Sequence, residues 1–188
     1  MTDGDADGDL LTHYAPLLAS NVMTSAGLGL RPATPDDQSF LRAVYADTRA
    51  AEVSRTGWPE PIMRAFLDQQ FDLQSRHYAA RHPGADRLIL TVRNGDSAEQ
   101  RIGRLYLDRT ETRWRLLELA LLTPWRCRGF GGLFLDSLAQ AASAQGASAI
   151  DLSVAVDNPR AQALYARHGY RLGVATTTTH KPMSRPVS

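Results

Sequence analysis

A glycine-rich segment, Arg126-Cys127-Arg128-Gly129-Phe130-Gly131-Gly132, most constrains how this chain can fold. It follows the apolar run 116–122, which is typical of a buried strand, and precedes 133–142, whose apolar residues have helical spacing. A glycine-rich turn between a strand and a helix N-terminus lets backbone N–H groups converge on an anion. The arginines add forked donors that suit phosphate oxygens. The segment therefore predicts a strand–loop–helix unit that binds a phosphorylated ligand.

The composition is that of one globular domain. The chain has 188 residues, of which 43% are hydrophobic and 22% charged, and its net charge is +1. No apolar run approaches the ~20 residues that a membrane span needs, and the near-neutral charge argues against general nucleic-acid binding. Cys127 is the single cysteine, which excludes an internal disulfide and fits a reducing compartment. We expect a cytoplasmic protein that binds neither membranes nor nucleic acid.

Residues 1–25 are predicted to form a flexible tail, and residues 26–188 a single domain. The first segment is rich in Asp, Gly, Ser and Thr and shows no sustained periodicity. Its run over 3–9, in which Asp alternates with Gly and Ala, resembles the start of a calcium loop. Position twelve of such a loop would be Tyr14, where a bidentate glutamate is needed. A solvated acidic tail is therefore the preferred interpretation.

The periodicity of the remaining chain switches repeatedly between that of strands and that of helices. Thr34-Pro35 is a helix-start signal, and Asn94-Gly95-Asp96 is typical of a hairpin turn. The predicted order is β-α-α-β-β-β-α-β-α-β, which is a mixed α/β (α+β) domain whose central mixed sheet is flanked by helices. Strands are predicted over 28–31, 88–92, 102–107, 114–122 and 149–156, with one or two more in 170–183; helices are predicted from Pro35, over 61–82, from the glycine loop to Gly146, and over 159–167.

A second motif lies downstream of the glycine loop, over 156–170. Its Asn158-Pro159 opens a helix that continues through Leu164-Tyr165 and ends at His168-Gly169. Together with Leu119-Ala120-Leu121 and Arg126-x-x-Gly129-x-Gly131, this motif closely resembles the GNAT superfamily of N-acetyltransferases over about residues 27–172. The motifs have the order and separation that the family uses. The resemblance implies the GNAT-like acyl-CoA N-acyltransferase fold and acetyl-CoA as co-substrate, without a metal.

The resemblance also implies a role for each part of the donor site. In the family, the strand before the loop splays from its neighbour, and its exposed backbone binds the pantetheine arm like an added strand. The loop amides then hold the pyrophosphate, with the helix N-terminus behind them. The cofactor-binding residues implied in this way are Leu119, Ala120, Leu121, Arg126, Cys127, Arg128, Gly129, Phe130, Gly131, Gly132 and Asn158.

Tyr165 is the candidate general acid. It follows Asn158 by seven residues, which is nearly two helical turns, so both side chains can project along one helix edge. In the family, the tyrosine hydroxyl lies near the thioester sulfur, which implies that Tyr165 protonates the leaving thiolate of CoA. The amide of Leu121 is expected to polarise the thioester carbonyl. The alternative role for Tyr165 is packing under the last strand.

The general base departs from the family pattern. Many members carry a carboxylate early in the central strand, where this chain has Arg113-Trp114-Arg115. Glu118 is the nearest acid and is the second candidate catalytic residue. The alternatives are that this carboxylate turns to solvent or pairs with arginine, and that a water relay or an amine arriving neutral removes the need for it.

The cysteine and the histidines are not expected to take part in the reaction. Cys127 is not expected to act as a nucleophile, because direct transfer in the family needs no acyl-enzyme. His77 and His82 are five residues apart, off one helical face, and His168 lies beside a helix C-cap. We interpret these histidines as structural rather than as metal ligands.

The sequence thus predicts an acetyl-CoA-dependent N-acetyltransferase in which an acceptor amine attacks directly in a ternary complex. A small amine, an amino acid, an antibiotic and a protein amine all stay open as acceptors, as does a homodimer, and residues near Trp58 are candidate acceptor contacts. One alternative is a non-catalytic acyl-CoA-binding sensor or subunit, which the retention of Tyr165 disfavours. A Walker-type nucleotide site needs Gly-Lys-Ser/Thr, which Gly131-Gly132-Leu133 does not provide.

Overall fold

A seven-stranded mixed sheet forms the centre of the molecule. The computed structural model describes residues 23, 25–93, 95, 97–174 and 177–187. The predicted tail therefore lies outside the described residues apart from Met23 and Ser25, of which Met23 is fully buried. Within the described residues the strands are β1 (Leu28–Pro32), β2 (Asp86–Val92), β3 (Gln100–Asp108), β4 (Arg113–Leu121), β5 (Ala149–Ala155), β6 (Arg171–Leu172) and β7 (His180–Pro186). The helices are α1 (Gln38–Val53), α2 (Glu60–Arg81), α3 (Phe130–Ala144) and α4 (Pro159–Arg167).

The strands are arranged in the order β1-β2-β3-β4-β5-β7-β6. In the described sheet, β4 and β5 pair in parallel and every other adjacent pair is antiparallel. A parallel pair needs a crossover connection, which α3 provides between β4 and β5. The predicted mixed α/β fold and its order of elements are confirmed, with two strands at the C-terminal end. The predicted hairpin is β2–β3, although residues 94 and 96 of its turn lie outside the described residues.

Each face of the sheet has its own apolar core. Leu88 and Leu90 point to the α3 side, whereas Ile89 points to the side of α1 and α2, as the alternation of strand side chains requires. The α3-side core is large and includes Leu105, Trp114, Leu116, Phe134, Leu135 and Leu138. The core under α1 and α2 is small and consists of Leu41, Tyr45, Phe71 and Ile89.

One extra residue in β4 changes which side chains face each core. Leu116 and Glu118 oppose consecutive residues of β3, which leaves Leu117 unpaired as a β-bulge. Unbroken alternation would point Glu118 to the same side as Leu116, into the α3-side core. Because of the bulge, Leu119 packs against that core instead. Glu118 consequently points to the side of α1 and α2.

Glu118 is held there by Arg104 of β3, whose side chain is fully buried. The Arg104 Nε and Nη2 atoms donate to Glu118 Oε1 at 3.0 and 2.5 Å. Nη2 also donates to Gln74 Oε1 of α2 at 3.0 Å, and Nη1 to the Leu41 carbonyl of α1 at 3.4 Å. The guanidinium thus joins β4 to both covering helices. The rings of Tyr45, Phe71 and Tyr106 surround its central carbon at 5.7, 5.6 and 5.2 Å.

Removing Arg104 should be strongly destabilising. We expect Arg104→Met to lower the free energy of unfolding by about 3–5 kcal/mol, because it leaves the Glu118 carboxylate buried without its partner. The double variant Arg104→Met/Glu118→Leu should recover most of that loss, since an apolar pair can replace a buried ion pair at little cost. Urea denaturation of both variants measures the difference.

The exposed pair Arg64–Glu60 on α2 is the matched control, with side chains 75% and 77% exposed. Arg64→Met should change the free energy of unfolding by less than about 0.5 kcal/mol. A double Arg104/Glu118 variant as unstable as the single Arg104 variant would contradict the expectation that the unpaired charge causes the loss.

Candidate active site

A cleft opens between β4 and β5 because these strands part along their length. Their pairing ends at Leu116 and Leu152, whereas β4 continues to Leu121 and β5 to Ala155. The bulge at Leu117 lies at the point of separation. The cleft holds a cavity of about 530 Å³. It is lined by Thr48 of α1, by Leu119, Ala120 and Leu121, by Arg126, Cys127, Gly129, Gly131 and Gly132, and by Asn158, Arg160, Ala161, Leu164, Tyr165, Arg167 and His168.

The backbone of β4 turns polar groups toward this cleft. The N–H of Leu122 donates to the Ile102 carbonyl of β3 at 2.9 Å, so these two residues form a hydrogen-bonded antiparallel pair. The preceding pair, Leu121 and Gly103, is consequently a non-hydrogen-bonded one. The N–H of Leu121 therefore points away from β3 and into the cleft. By the same alternation the backbone of Leu119 points into the cleft, whereas that of Ala120 pairs with β3.

The glycine loop forms a cradle of amide groups. Among the described residues, the N–H groups of 127–131 donate to no protein acceptor, whereas those of Gly132 and Leu133 donate to the Gly129 carbonyl as α3 begins. Cys127 and Gly129 have left-handed backbones, with φ of +61° and +83°. Such alternation of backbone handedness points successive N–H groups to one side, as anion-binding nests do. The positive end of the α3 dipole adds to the same potential.

The Arg126 side chain makes contacts that differ from its predicted role. Its Nε donates to the Leu121 carbonyl at 2.7 Å, and its Nη2 donates to Asp47 Oδ2 of α1. The same Asp47 oxygen accepts the amide and hydroxyl of Thr123 at 3.0 and 3.1 Å. Arg126 therefore fastens the loop to β4 and α1, and it lines the cavity with its guanidinium already paired.

The remaining loop side chains lie around the cradle. The guanidinium carbon of Arg128 is 4.9 Å from the Trp125 ring, and Phe130 packs partly buried against the α3-side core. Neither of these two predicted binding residues is among the residues that line the cavity. Cys127 is exposed and its Sγ contacts the Arg160 guanidinium.

Helix α4 forms the opposite wall of the cleft. Asn158 is its N-cap, and Asn158 Oδ1 accepts the Ala161 N–H at 3.0 Å. Tyr165 lines the cavity two turns later and packs edge-on against Tyr170, with ring centroids 5.7 Å apart. The structure therefore brings both sequence-predicted α4 residues to the cleft, as their spacing required.

The Tyr165 phenol is held in its neutral form. Burial raises the pKa of Tyr165 to about 12, and the negative charge of Glu118 adds to that shift. Within the described part of the chain, no group hydrogen-bonds to the Tyr165 hydroxyl, so its proton is directed to the cavity rather than to a protein acceptor. At neutral pH the residue can therefore donate a proton.

Glu118 points to the side of α1 and α2 and is not among the residues that line the cavity. Arg104 occupies its Oε1, whereas its Oε2 is buried and has no hydrogen-bond partner among the described residues. The pairing with arginine was one of the alternatives that the sequence left open. It leaves Oε2 as a buried carboxylate oxygen without a partner among the described residues.

Two residues that contact the site were not predicted as functional. Asp47 lies on α1, remote in sequence from every motif, and no local signal identifies it as the partner of Arg126. His168 lies inside the second motif and was interpreted as structural, yet it lines the cavity. Its side-chain Nδ1 is 3.0 Å from Asp136 Oδ1.

Trp58, near which acceptor contacts were predicted, and the aromatic residues of α2 have different surroundings. Trp58 is 41% exposed and packs edge-on against Phe66 with centroids 5.3 Å apart, whereas Phe71 is buried. Ile62 and Leu73, which share the α2 stripe with Phe66, are 54% and 46% exposed. Of α2, only Phe71 is buried in the small core under α1 and α2, with Leu67 packed against it.

The model of the Acetyltransferase (GNAT) family matches residues 47–170, which is more than half of the chain. The chain belongs to the GNAT acetyltransferase family. No curated protein sequence matches this GNAT protein. In its described residues, no helix is long and apolar enough to cross a membrane, and no three His, Cys, Asp or Glu side chains are grouped to hold a metal ion.

Solved acetyltransferase structures share the fold of this GNAT protein. The PaiA N-acetyltransferase of Thermoplasma acidophilum in complex with coenzyme A has a TM-score of 0.61 at 16% identity, over 85% of this chain and 98% of its own. An acetyltransferase of Thermus thermophilus has a TM-score of 0.61 at 23% identity, over 85% and 97%. The spermidine N-acetyltransferase of Vibrio cholerae in complex with CoA and spermine has a TM-score of 0.59 at 16% identity, over 85% of this chain and 95% of its own.

The left-handed backbone at Gly129 generates a prediction about the loop. Gly129→Ala should lower the free energy of unfolding by about 1–2 kcal/mol, since an alanine disfavours that conformation. Nothing lies within 4 Å of a Cβ at this position, so the cost comes from the backbone alone. Urea denaturation measures it.

Gly57 provides the matched control, because it has φ of +68° and equally open surroundings outside the cleft. Gly57→Ala should lose a similar amount of stability. A loss at Gly57 without one at Gly129 would show that the glycine loop can leave its left-handed conformation without cost.

Proposed function

We propose that this protein is an N-acetyltransferase that transfers the acetyl group of acetyl-CoA to a primary amine by direct attack in a ternary complex. One observation carries the proposal: the strand cleft and the amide cradle open into a single cavity of about 530 Å³. A ligand with a phosphate at one end and an extended amide chain at the other would match both parts. Membership of the GNAT family supports acetyl-CoA as that ligand.

The donor would be held mainly by backbone groups. The amides of 127–131 and the α3 N-terminus would bind its pyrophosphate. The β4 backbone at Leu119–Leu121 would pair with the pantetheine arm as an added strand does, and Asn158 faces the arm from α4. Arg126 would act by fixing the loop on Asp47, and its guanidinium adds positive charge beside the phosphates.

The reaction needs one proton removed and one supplied. The amine nitrogen attacks the thioester carbonyl carbon, and the N–H of Leu121 would stabilise the developing oxyanion. When the C–S bond breaks, the CoA thiolate takes the proton of the Tyr165 hydroxyl. A positioned acid of this kind typically contributes about 10²–10⁴ in rate. The nitrogen loses its extra proton to a base.

Glu118 is our proposed base. Its Oε2 has no partner among the described residues, while Arg104 fixes Oε1 and thereby the orientation of the carboxylate. The negative charge of Glu118 contributes to the raised pKa of the Tyr165 phenol, which supports assigning both residues to one reaction centre. The amine proton would pass to Oε2 directly or through one water.

The acceptor would enter from the side of α1 and α2. Thr48 of α1 lines the cavity, and Trp58 and Phe66 lie at the start of α2. The Vibrio cholerae spermidine N-acetyltransferase binds spermine together with CoA, which supports an amine as the acceptor class. An acceptor screen that follows CoA release over polyamines, amino acids, aminoglycosides and peptides would identify the member of the class.

Ligand-induced stabilisation tests the donor assignment. Acetyl-CoA at about 100 times its Kd should raise the melting temperature by about 5–10 °C, because it binds only the folded chain. ATP at the same concentration should not, since the loop lacks the lysine and hydroxyl of a nucleoside triphosphate site. Equal shifts from both ligands, or none from acetyl-CoA, would overturn the donor assignment.

Tyr165→Phe tests the general acid. Turnover should fall by about 10²–10⁴ with little change in the Kd of acetyl-CoA, because the phenol acts on the leaving group and the loop holds the cofactor. Stopped-flow or steady-state detection of CoA, together with calorimetric Kd values, separates the two effects.

Tyr170→Phe is the matched control, since the Tyr170 hydroxyl is buried without a partner among the described residues. Removing it should leave turnover unchanged. Full turnover in Tyr165→Phe, with acetyl-CoA still bound, would favour a non-catalytic packing role for Tyr165, and CoA binding without any acceptor turnover in the intact protein would favour an acyl-CoA sensor.

A further inference from the structure

His168 lies over the first turn of α3, in a space that Gly132 leaves open. A Cβ on Gly132 would be 2.6 Å from His168 Nε2 and 2.7 Å from its Cε1, so a larger residue there would require the imidazole to shift. The imidazole lines the same cavity as the glycine loop. Its Nε2 edge is therefore directed to the N-terminus of α3, beside the amide cradle.

The other ring nitrogen is fixed by a carboxylate. His168 Nδ1 is 3.0 Å from Asp136 Oδ1, and because a carboxylate accepts, Nδ1 must carry a proton. Arg185 Nη1 donates to the same Asp136 oxygen at 3.0 Å. Nε2 is consequently the nitrogen whose protonation changes. It is an acceptor in the neutral ring and a charged donor in the imidazolium.

Charged groups lie around His168 on three elements. Asp136 of α3 contacts the ring and also pairs with Arg185 of β7, and Arg167 precedes His168 on α4. The nearby Tyr170 stays neutral, because burial raises its pKa. A pyrophosphate in the cradle would add negative charge on the Nε2 side, where it would favour the imidazolium.

We propose that His168 donates from its protonated Nε2 to the pyrophosphate of acetyl-CoA, and that binding of the donor takes up a proton at this ring. The inference rests on the proposed function and adds a pH dependence to it. Linkage is reciprocal, so if the ligand favours the protonated ring, ligand affinity falls as pH rises. Histidine is the side chain whose charge ordinarily changes between about pH 5 and 8.

Isothermal titration calorimetry of the full chain tests the proposal. Binding is measured at pH 7.5 in HEPES and in Tris, whose different ionisation enthalpies reveal the protons taken up. The probes are acetyl-CoA and its 3′-dephospho analogue, which keeps the pyrophosphate but lacks the 3′-phosphate monoester that itself titrates near neutral pH. We expect proton uptake with both probes, and an affinity about tenfold lower at pH 8 than at pH 6, as for loss of one charge-assisted hydrogen bond.

Two variants distinguish proton uptake at the His168 ring from proton uptake elsewhere in the protein. His168→Gln places an uncharged donor near the Nε2 position, so it should bind the dephospho probe with no proton uptake and no fall in affinity between pH 6 and 8. His77→Gln, on the exposed surface of α2, should behave as the unmodified chain. Circular dichroism confirms that both variants are folded.

Several results would overturn the proposal. The first is that the dephospho probe binds without proton uptake. The second is that protons are taken up with acetyl-CoA but not with the dephospho probe. The third is that His168→Gln takes up as many protons as the unmodified chain. Each of these leaves acetyl-CoA binding intact and so spares the proposed function. Absence of any binding heat or thermal shift with acetyl-CoA would instead overturn the proposed function and this inference together.

Discussion

The bulge at Leu117 is the constraint on which the rest of the site depends. A single unpaired residue in β4 bends that strand where its pairing with β5 ends. The same residue shifts the alternation of side chains, so that Leu119 packs on the α3 side and Glu118 points to Arg104. The donor cleft and the buried ion pair therefore have one origin. A change that restored regular pairing of β4 with β3 would turn the Glu118 carboxylate into the apolar core.

The charged side chains around the cleft are used mainly to hold elements in place. Arg104 joins β4 to α1 and α2, and the Arg126–Asp47 pair joins the loop to α1. Because these guanidinium groups already have partners, the donor cradle consists chiefly of backbone N–H groups. Backbone donors lose no side-chain entropy on binding, which favours a rigid cradle whose geometry exists before the ligand arrives.

Local signals account for what could be predicted from the sequence. The helix start at Thr34-Pro35, the strand–loop–helix at 116–142 and the capped helix at Asn158 each lie within one short segment, and each was found correctly. Contacts between distant segments account for what could not. An arginine within a strand gives no indication that it will be fully buried, as Arg104 is, and neither the bulge nor the pairing of Asp47 with Arg126 leaves a pattern in either segment alone. The position of His168 at the cavity could not be predicted either, because it depends on the space at Gly132, which only the packing of α4 on α3 reveals.

The two halves of the proposed site consequently use different groups, backbone in one and side chains in the other. The proposed donor half consists of β4 backbone, loop amides and one helix N-terminus, which depend on glycine positions and strand register. The proposed acceptor half is bordered by side chains of α1 and α2, where Trp58, Ile62 and Leu73 are exposed. Substitutions at those exposed positions change the acceptor surface without disturbing either core. The sequence motifs therefore indicate the donor, whereas the choice of acceptor depends on exposed side chains that make no core contacts.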